Sequence, residues 1–167
     1  MSSFGYAKEA KMNKNLDLSI RSVRETDLKD LHAMVISLAQ HHGDTPTTTI
    51  ESLRRDLLVE PPWILGFIAE VNTQIVGYTL LCPMVQAHFG RRGMNIHHLF
   101  IKHEMRGRGI GTVLINNSID KASALGCSFI TVGTQLENIT AQEVYLAAGF
   151  KRRHPSSAPQ FIKLIAE

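Results

Sequence analysis

Residues 106–111 read Arg106-Gly107-Arg108-Gly109-Ile110-Gly111, and they join a strand-like run at 95–101 to a helix-like run that opens Thr112-Val113-Leu114-Ile115. A strand that enters a helix through three glycines leaves few folds open. The first N–H groups of a helix have no internal partner, and the helix dipole favours negative charge beside them. Glycines let a bulky anion approach that backbone closely. The segment therefore reads as a cradle for a pyrophosphate. A P-loop would place Lys and then Ser or Thr after the last glycine, whereas Gly111 is followed by Thr112-Val113. A dinucleotide fingerprint would place a carboxylate at the end of the next strand, which instead reads Thr131-Val132-Gly133.

The rest of the chain supplies the context. Residues 16–24 alternate apolar and polar side chains, as a half-buried strand does. Thr26-Asp27 opens a helix with Leu28, Leu31, Val35 and Leu38 on one stripe, ending near Gly43. Thr48-Thr49-Ile50-Glu51 is a capping-box pattern for a second helix carrying Ile50, Leu53 and Leu57, stopped by Pro61-Pro62. Residues 63–71 and 75–81 read as a hairpin, followed by a loop at 86–93 and a strand at 94–101. Beyond the glycines, Ile110, Val113, Leu114, Ser118, Ala122 and Leu125 form a helical stripe closed by Gly126. A strand at 127–133 follows. Thr140-Ala141-Gln142-Glu143 caps a helix with Ala141, Val144, Tyr145 and Ala148 on one face, and two short strands are expected at 150–153 and 160–165. The expected fold class is α/β, a mixed sheet with helices on both faces, in the order β-α-α-β-β-β-α-β-α-β-β.

The 167 residues suffice for one domain at 16–167, with 1–15 expected as a flexible leader that lacks the apolar core of a secretory signal. No apolar run reaches the ~18 residues of a membrane span, so no membrane partner is expected. A net charge of +3 without interleaved exposed aromatics gives no case for nucleic acid. Cys82 and Cys127 sit in apolar stretches, outside any disulfide or metal framework, and read as small buried hydrophobes of a reducing, cytoplasmic compartment. A zinc site from His41-His42 and His97-His98 is not expected, because adjacent histidines on a strand diverge.

The loop pattern Arg/Gln-x-x-Gly-x-Gly/Ala, met by Arg106, Gly109 and Gly111, resembles the acyl-coenzyme-A loop of the GNAT superfamily of N-acetyltransferases. The order of elements, from about residue 18 to 165, is similar to that family's. Val76-Gly77-Tyr78 resembles its hydrophobic-Gly-aromatic step, and Asn138, Ala141, Tyr145, Gly149 and Phe150 resemble its C-terminal signature.

The resemblance implies acetyl-coenzyme A as co-substrate, no metal, and acetyl transfer to a primary amine by direct attack in a ternary complex. It implies that the loop from Arg106 through Gly107, Arg108, Gly109, Ile110 and Gly111 to Thr112 holds the pyrophosphate, the N–H groups from Arg108 to Thr112 binding it and the arginines adding charge or orienting the loop. Leu99, Phe100 and Ile101 match the strand whose edge pairs with the pantetheine arm. Asn138 caps its helix, touches the coenzyme, or both. His97 matches the position of the base, which is needed because an alkyl ammonium has a pKa of about 10.4 and imidazole titrates near neutrality. Its neighbour His98 is expected to face the opposite side of the pleat as a structural residue. Tyr145 matches the tyrosine that protonates the departing thiolate.

The acceptor stays open among polyamines, arylalkylamines, aminoglycosides and protein amines. Its pocket is expected from the first two helices, their connection His41-His42-Gly43-Asp44, the 86–93 loop and the C-terminal hairpin. Asp44, Glu60, Trp63 and His88 are weighed as pocket residues, with an ordinary surface or packing role preferred for each. A catalytically silent acyl-coenzyme-A sensor is the alternative to an enzyme. A homodimer paired through the sheet's C-terminal edge is an open expectation.

Overall fold

Branched and aromatic runs joined by short turns build an antiparallel meander of three strands, β2 Leu65–Val71, β3 Gln74–Gln86 and β4 Arg91–Ile101, and β1 Leu18–Ser22, separated from β2 in sequence by two helices, pairs antiparallel with its outer edge. A computed structural model describes residues 17–152. β5, Phe129–Val132, adds to β4 in parallel, giving a five-stranded sheet in the order β1-β2-β3-β4-β5. The helices are α1 Leu28–His41, α2 Ile50–Leu58, α3 Ile110–Ala124 and α4 Ile139–Ala147. No helix among the described residues is long and apolar enough to cross a membrane.

Alternation along the strands fills one core on each face of the sheet. Leu28, Leu31, Met34, Val35 and Leu38 of α1 with Leu53 and Leu57 of α2 pack on Ile68, Tyr78, Leu80 and Phe100. Ile110, Leu114, Ile115 and Ala122 of α3 pack on Phe67, Ala69, Val76, Leu81, Met94 and Ile96 of the opposite face. The expected mixed sheet with helices on both faces is the observed fold.

Details differ from the sequence expectation where local chemistry overrides pattern. β3 runs on to Gln86 and β4 starts at Arg91, so half of the expected loop at 86–93 is paired strand, around a single 3₁₀ turn, Ala87–Phe89. The cap of α2 lies one residue later than expected: Thr49 Oγ1 accepts from Ser52 N, and Ser52 Oγ accepts from Thr49 N. α4 begins at Ile139, one residue before the expected box, because Asn138 Oδ1 accepts from Ala141 N at 3.1 Å. On α3, Ile115 is buried in place of Leu125, which is 41% exposed. Cys82 and Cys127 are only half-buried. Residues 150–152 pair with no strand, and the remainder of the two expected final strands lies outside the described residues, as does the leader.

Two close contacts fix the sheet's geometry. Gly93 on β4 faces Phe129 on β5, and a Cβ there would stand 2.3 Å from the ring. At the opposite edge, Arg21 on β1 donates to both carboxylate oxygens of Asp27, at 2.6 and 2.9 Å, and to Glu70 on β2. Asp27 is 3% exposed and also accepts from Arg24 N at 2.7 Å, so Arg21 joins two strands to a buried carboxylate at the start of α1. The hydrogen-bonded Arg21 guanidinium holds the Asp27 carboxyl below the usual range.

Asp27→Ala leaves the partly buried Arg21 with Glu70 as its one carboxylate partner and is expected to cost about 2 kcal/mol at pH 7, read by urea unfolding. Because the folded pKa is depressed, this stabilisation is complete above the unfolded value of about 3.9 and disappears as pH falls through the folded one. The difference between wild type and variant should therefore close in acid.

Candidate active site

Pairing between β4 and β5 ends at Ile96 and Val132. At the same point β4 bulges: Leu81 pairs with Ile96 and Leu80 with His98, which leaves His97 unmatched. The faces confirm the extra residue. Met94 and Ile96 belong to the α3 core, and so do Leu99 and Ile101, three residues on from Ile96 rather than two. His97 and His98 therefore both project on the α1–α2 side. Their rings stack, with centroids 4.5 Å apart and planes 14° apart. This corrects the expectation that His98 faces away from His97; a regular pleat would separate them, and a bulge does not.

Where β5 leaves, one edge of β4 is open. Lys102 N donates to Val76 O at 2.9 Å, so the alternating ladder turns Phe100 toward β3 and directs the Leu99 N–H and C=O and the Ile101 N–H to the open edge. Beyond the edge lies the start of α3. Gly109, at φ +83°, is the residue before the helix, and the first helical bond runs from Val113 N to Gly109 O at 3.2 Å. The N–H groups of Ile110, Gly111 and Thr112 therefore have no acceptor within the helix. No heavy atom lies within 4 Å of a Cβ built on Gly107, Gly109 or Gly111, so the cradle has room for an anion.

The arginines serve the loop more than the cradle. Arg106 Nε donates to Ile101 O at 3.0 Å and its guanidinium sits 5.9 Å from the Phe100 ring centre, clamping the loop to the end of β4. Arg108 donates to Glu104 O at 3.3 Å.

These parts line one cleft of about 850 Å³. It takes in Leu99, Phe100, Ile101, Arg106, Gly107, Gly109, Ile110, Gly111, Thr112, His97, Asn138 and Tyr145 from the sequence expectation, and leaves Arg108 outside. Tyr145 stands on α4 with its ring 6.0 Å from Phe150, and burial pushes its phenol upward. No hydrogen bond ties that hydroxyl to another group among the described residues. Opposite, His98 is half-buried, with Nδ1 3.1 Å from the hydroxyl of Tyr78. Desolvation first, then His97 and His42, push its imidazole down to about 4.

Some residues were not foreseen. Gly133, Thr134 and Gln135 enter because they follow the carboxyl end of a parallel strand, the position where ligands gather in open sheets. His41 and His42 arrive from the end of α1, as the expected 41–44 connection suggested. Asp44, Glu60, Trp63 and His88 lie outside the cleft, and Trp63 is 78% exposed. Among the described residues no cluster of His, Cys, Asp or Glu is arranged to hold a metal ion.

Comparison with known proteins meets this geometry. The model of the acetyltransferase (GNAT) family matches residues 31–150. An uncharacterized N-acetyltransferase of Methanocaldococcus jannaschii is 35% identical over 88 residues, 52% of this chain and 39% of that protein. A thialysine N-epsilon-acetyltransferase of Bos taurus is 27% identical over 140 residues, 78% of this chain and 82% of that one. A crystallised aminoglycoside N-acetyltransferase in complex with CoA shares the fold at a TM-score of 0.73 and 18% identity, covering 92% of this chain and 99% of its own.

The Arg106 clamp has a measurable consequence. Arg106→Ala removes one hydrogen bond worth about 1 kcal/mol, so amide hydrogens at 107–112 should exchange roughly fivefold faster while exchange in β2 and β3 stays unchanged.

Proposed function

The chain belongs to the acetyltransferase (GNAT) family, and on that premise we propose that it moves an acetyl group from acetyl-coenzyme A to a primary amine within a ternary complex. One observation carries the reading: a single cleft joins free helix-start amides, an open strand edge, an exposed imidazole and a half-buried phenol. The residues fit the co-substrate. The N–H groups of Ile110, Gly111 and Thr112 take the pyrophosphate, at the position that helix polarity favours for anions. The exposed Leu99 and Ile101 backbone groups take the amides of the pantetheine arm as an added strand would. That course leads the thioester to the bulge.

There the two faces of the sheet divide the work. From the α1–α2 side, His97 removes a proton from the acceptor ammonium and frees its lone pair. The nitrogen bonds to the acetyl carbon, and the Leu99 N–H steadies the negative charge gathering on oxygen. The carbon–sulfur bond breaks, Tyr145 gives its phenolic proton to sulfur from the α4 side, and the second proton shed by the new amide nitrogen restores the phenol. A raised phenol pKa keeps that proton in place until sulfur departs. Transferase relatives and the presence of both proton-transfer groups weigh against a silent sensor. The acceptor is a small-molecule or protein amine. Among the described residues no carboxylate lines the cleft, which favours acceptors with a single positive charge over polyamines.

Free-thiol release with a panel of amines tests the assignment. His97→Ala is expected to lose about 100-fold in kcat at pH 7. Activity should recover toward pH 10, where the amine sheds its proton unaided. Tyr145→Phe is expected to slow turnover about tenfold or more at every pH below that. Unchanged kcat in both variants would remove these roles. Gly111→Val should leave thermal stability intact, because space is open there, yet weaken acetyl-coenzyme A binding at least about tenfold in calorimetry by standing over the amides.

A further inference from the structure

We propose that Tyr78 and His98 form a positioning pair for His97: the buried phenol fixes His98 as its Nε2–H tautomer, and the ring so held is the platform on which the His97 imidazole stacks. The inference rests on the reading of His97 as the base.

Tyr78 is fully buried on β3, and its hydroxyl meets Nδ1 of His98 at 3.1 Å. A hydrogen bond between a phenol and an imidazole nitrogen has two polarities. If Nδ1 carried the proton and donated, the phenolic hydrogen would be left in the core with no acceptor among the described residues. An orphaned buried donor is costly. If the phenol donates, both groups are satisfied, and the ring's own proton must reside on Nε2. The second arrangement wins.

Three consequences follow for the neighbouring ring. A flat neutral imidazole can lie 4.5 Å from His97 without charge repulsion when His97 takes up a proton. A ring whose Nδ1 already accepts and whose Nε2 already carries hydrogen does not compete for the acceptor's proton. The platform is also rigid, because Tyr78 is packed against Phe100, ring centres 5.9 Å apart, in the α1–α2 core. The groups electrostatically felt by His98 are His97 on its own strand and His42 at the end of α1, and both disfavour a second positive charge.

Long-range ¹⁵N–¹H correlation on the full-length, histidine-labelled protein at pH 7 reads the tautomer directly, with His98→Phe assigning the signals. The expected spectrum has hydrogen on Nε2 and none on Nδ1 of His98. Hydrogen on Nδ1, or on both nitrogens, overturns the proposal. This reading needs no turnover, so a chain that acetylates nothing in the amine panel fails the proposed function while the pair is still decided. Kinetics add a second arm. Tyr78→Phe should mix the tautomers and lower kcat about tenfold with both KM values within about twofold, as expected of a displaced reacting group. His98→Phe, which keeps a flat platform, should retain more kcat than His98→Ala. Wild-type kcat in Tyr78→Phe, or equal losses in the two His98 variants, would sink it.

Discussion

One unmatched residue in a β-ladder organises this molecule. His97 interrupts the pairing of β3 with β4 just where β5 stops pairing with β4 on the other side. The bulge turns two consecutive side chains to the same face, and the missing neighbour frees backbone groups on the other edge. A sheet that would otherwise separate its two faces is thereby pierced. The α1–α2 face reaches the gap through histidines, and the α3–α4 face reaches it through the glycine cradle and Tyr145. Under the proposed function, amine and thioester meet from opposite sides without either crossing a core.

The cradle depends on this arrangement through Arg106. Its hydrogen bond to Ile101 O ties the loop to the last residue of the bulged strand. One side chain thus links the loop that carries the helix-start amides to the strand with the open edge. Of the two roles expected for Arg106, adding charge or orienting the loop, its hydrogen bond serves the second, which under the proposed function leaves the pyrophosphate to neutral N–H groups. Such groups bind without the desolvation cost of burying a cation.

Local signals were legible and long-range ones were not. The glycine loop, the α1 stripe and the hairpin each announce themselves within a window of a few residues, so their recognition required no fold. The bulge is different. It depends on which residue of β3 faces which residue of β4, and Leu80 and Leu81 look alike in the sequence. His98 was read onto the wrong face for that reason. The cap of α2 falls at Thr49 instead of Thr48, and the expected capping role of Asn138 is the one seen at α4 in place of Thr140, because several neighbouring polar side chains could each satisfy a free N–H and tertiary packing chose among them. The length of β3 was missed because Pro83 within it resembles a strand end, although its pairing with Met94 continues.

The contact between Gly93 and Phe129 has an architectural meaning beyond its tightness. It is the pivot of a V. Two parallel strands are pressed together there and part company only three residues later, so the angle between the arms is governed at the vertex. Bulk added at that vertex would act as a lever, spreading the mouth by more than its own width from a point outside the described lining of the cleft.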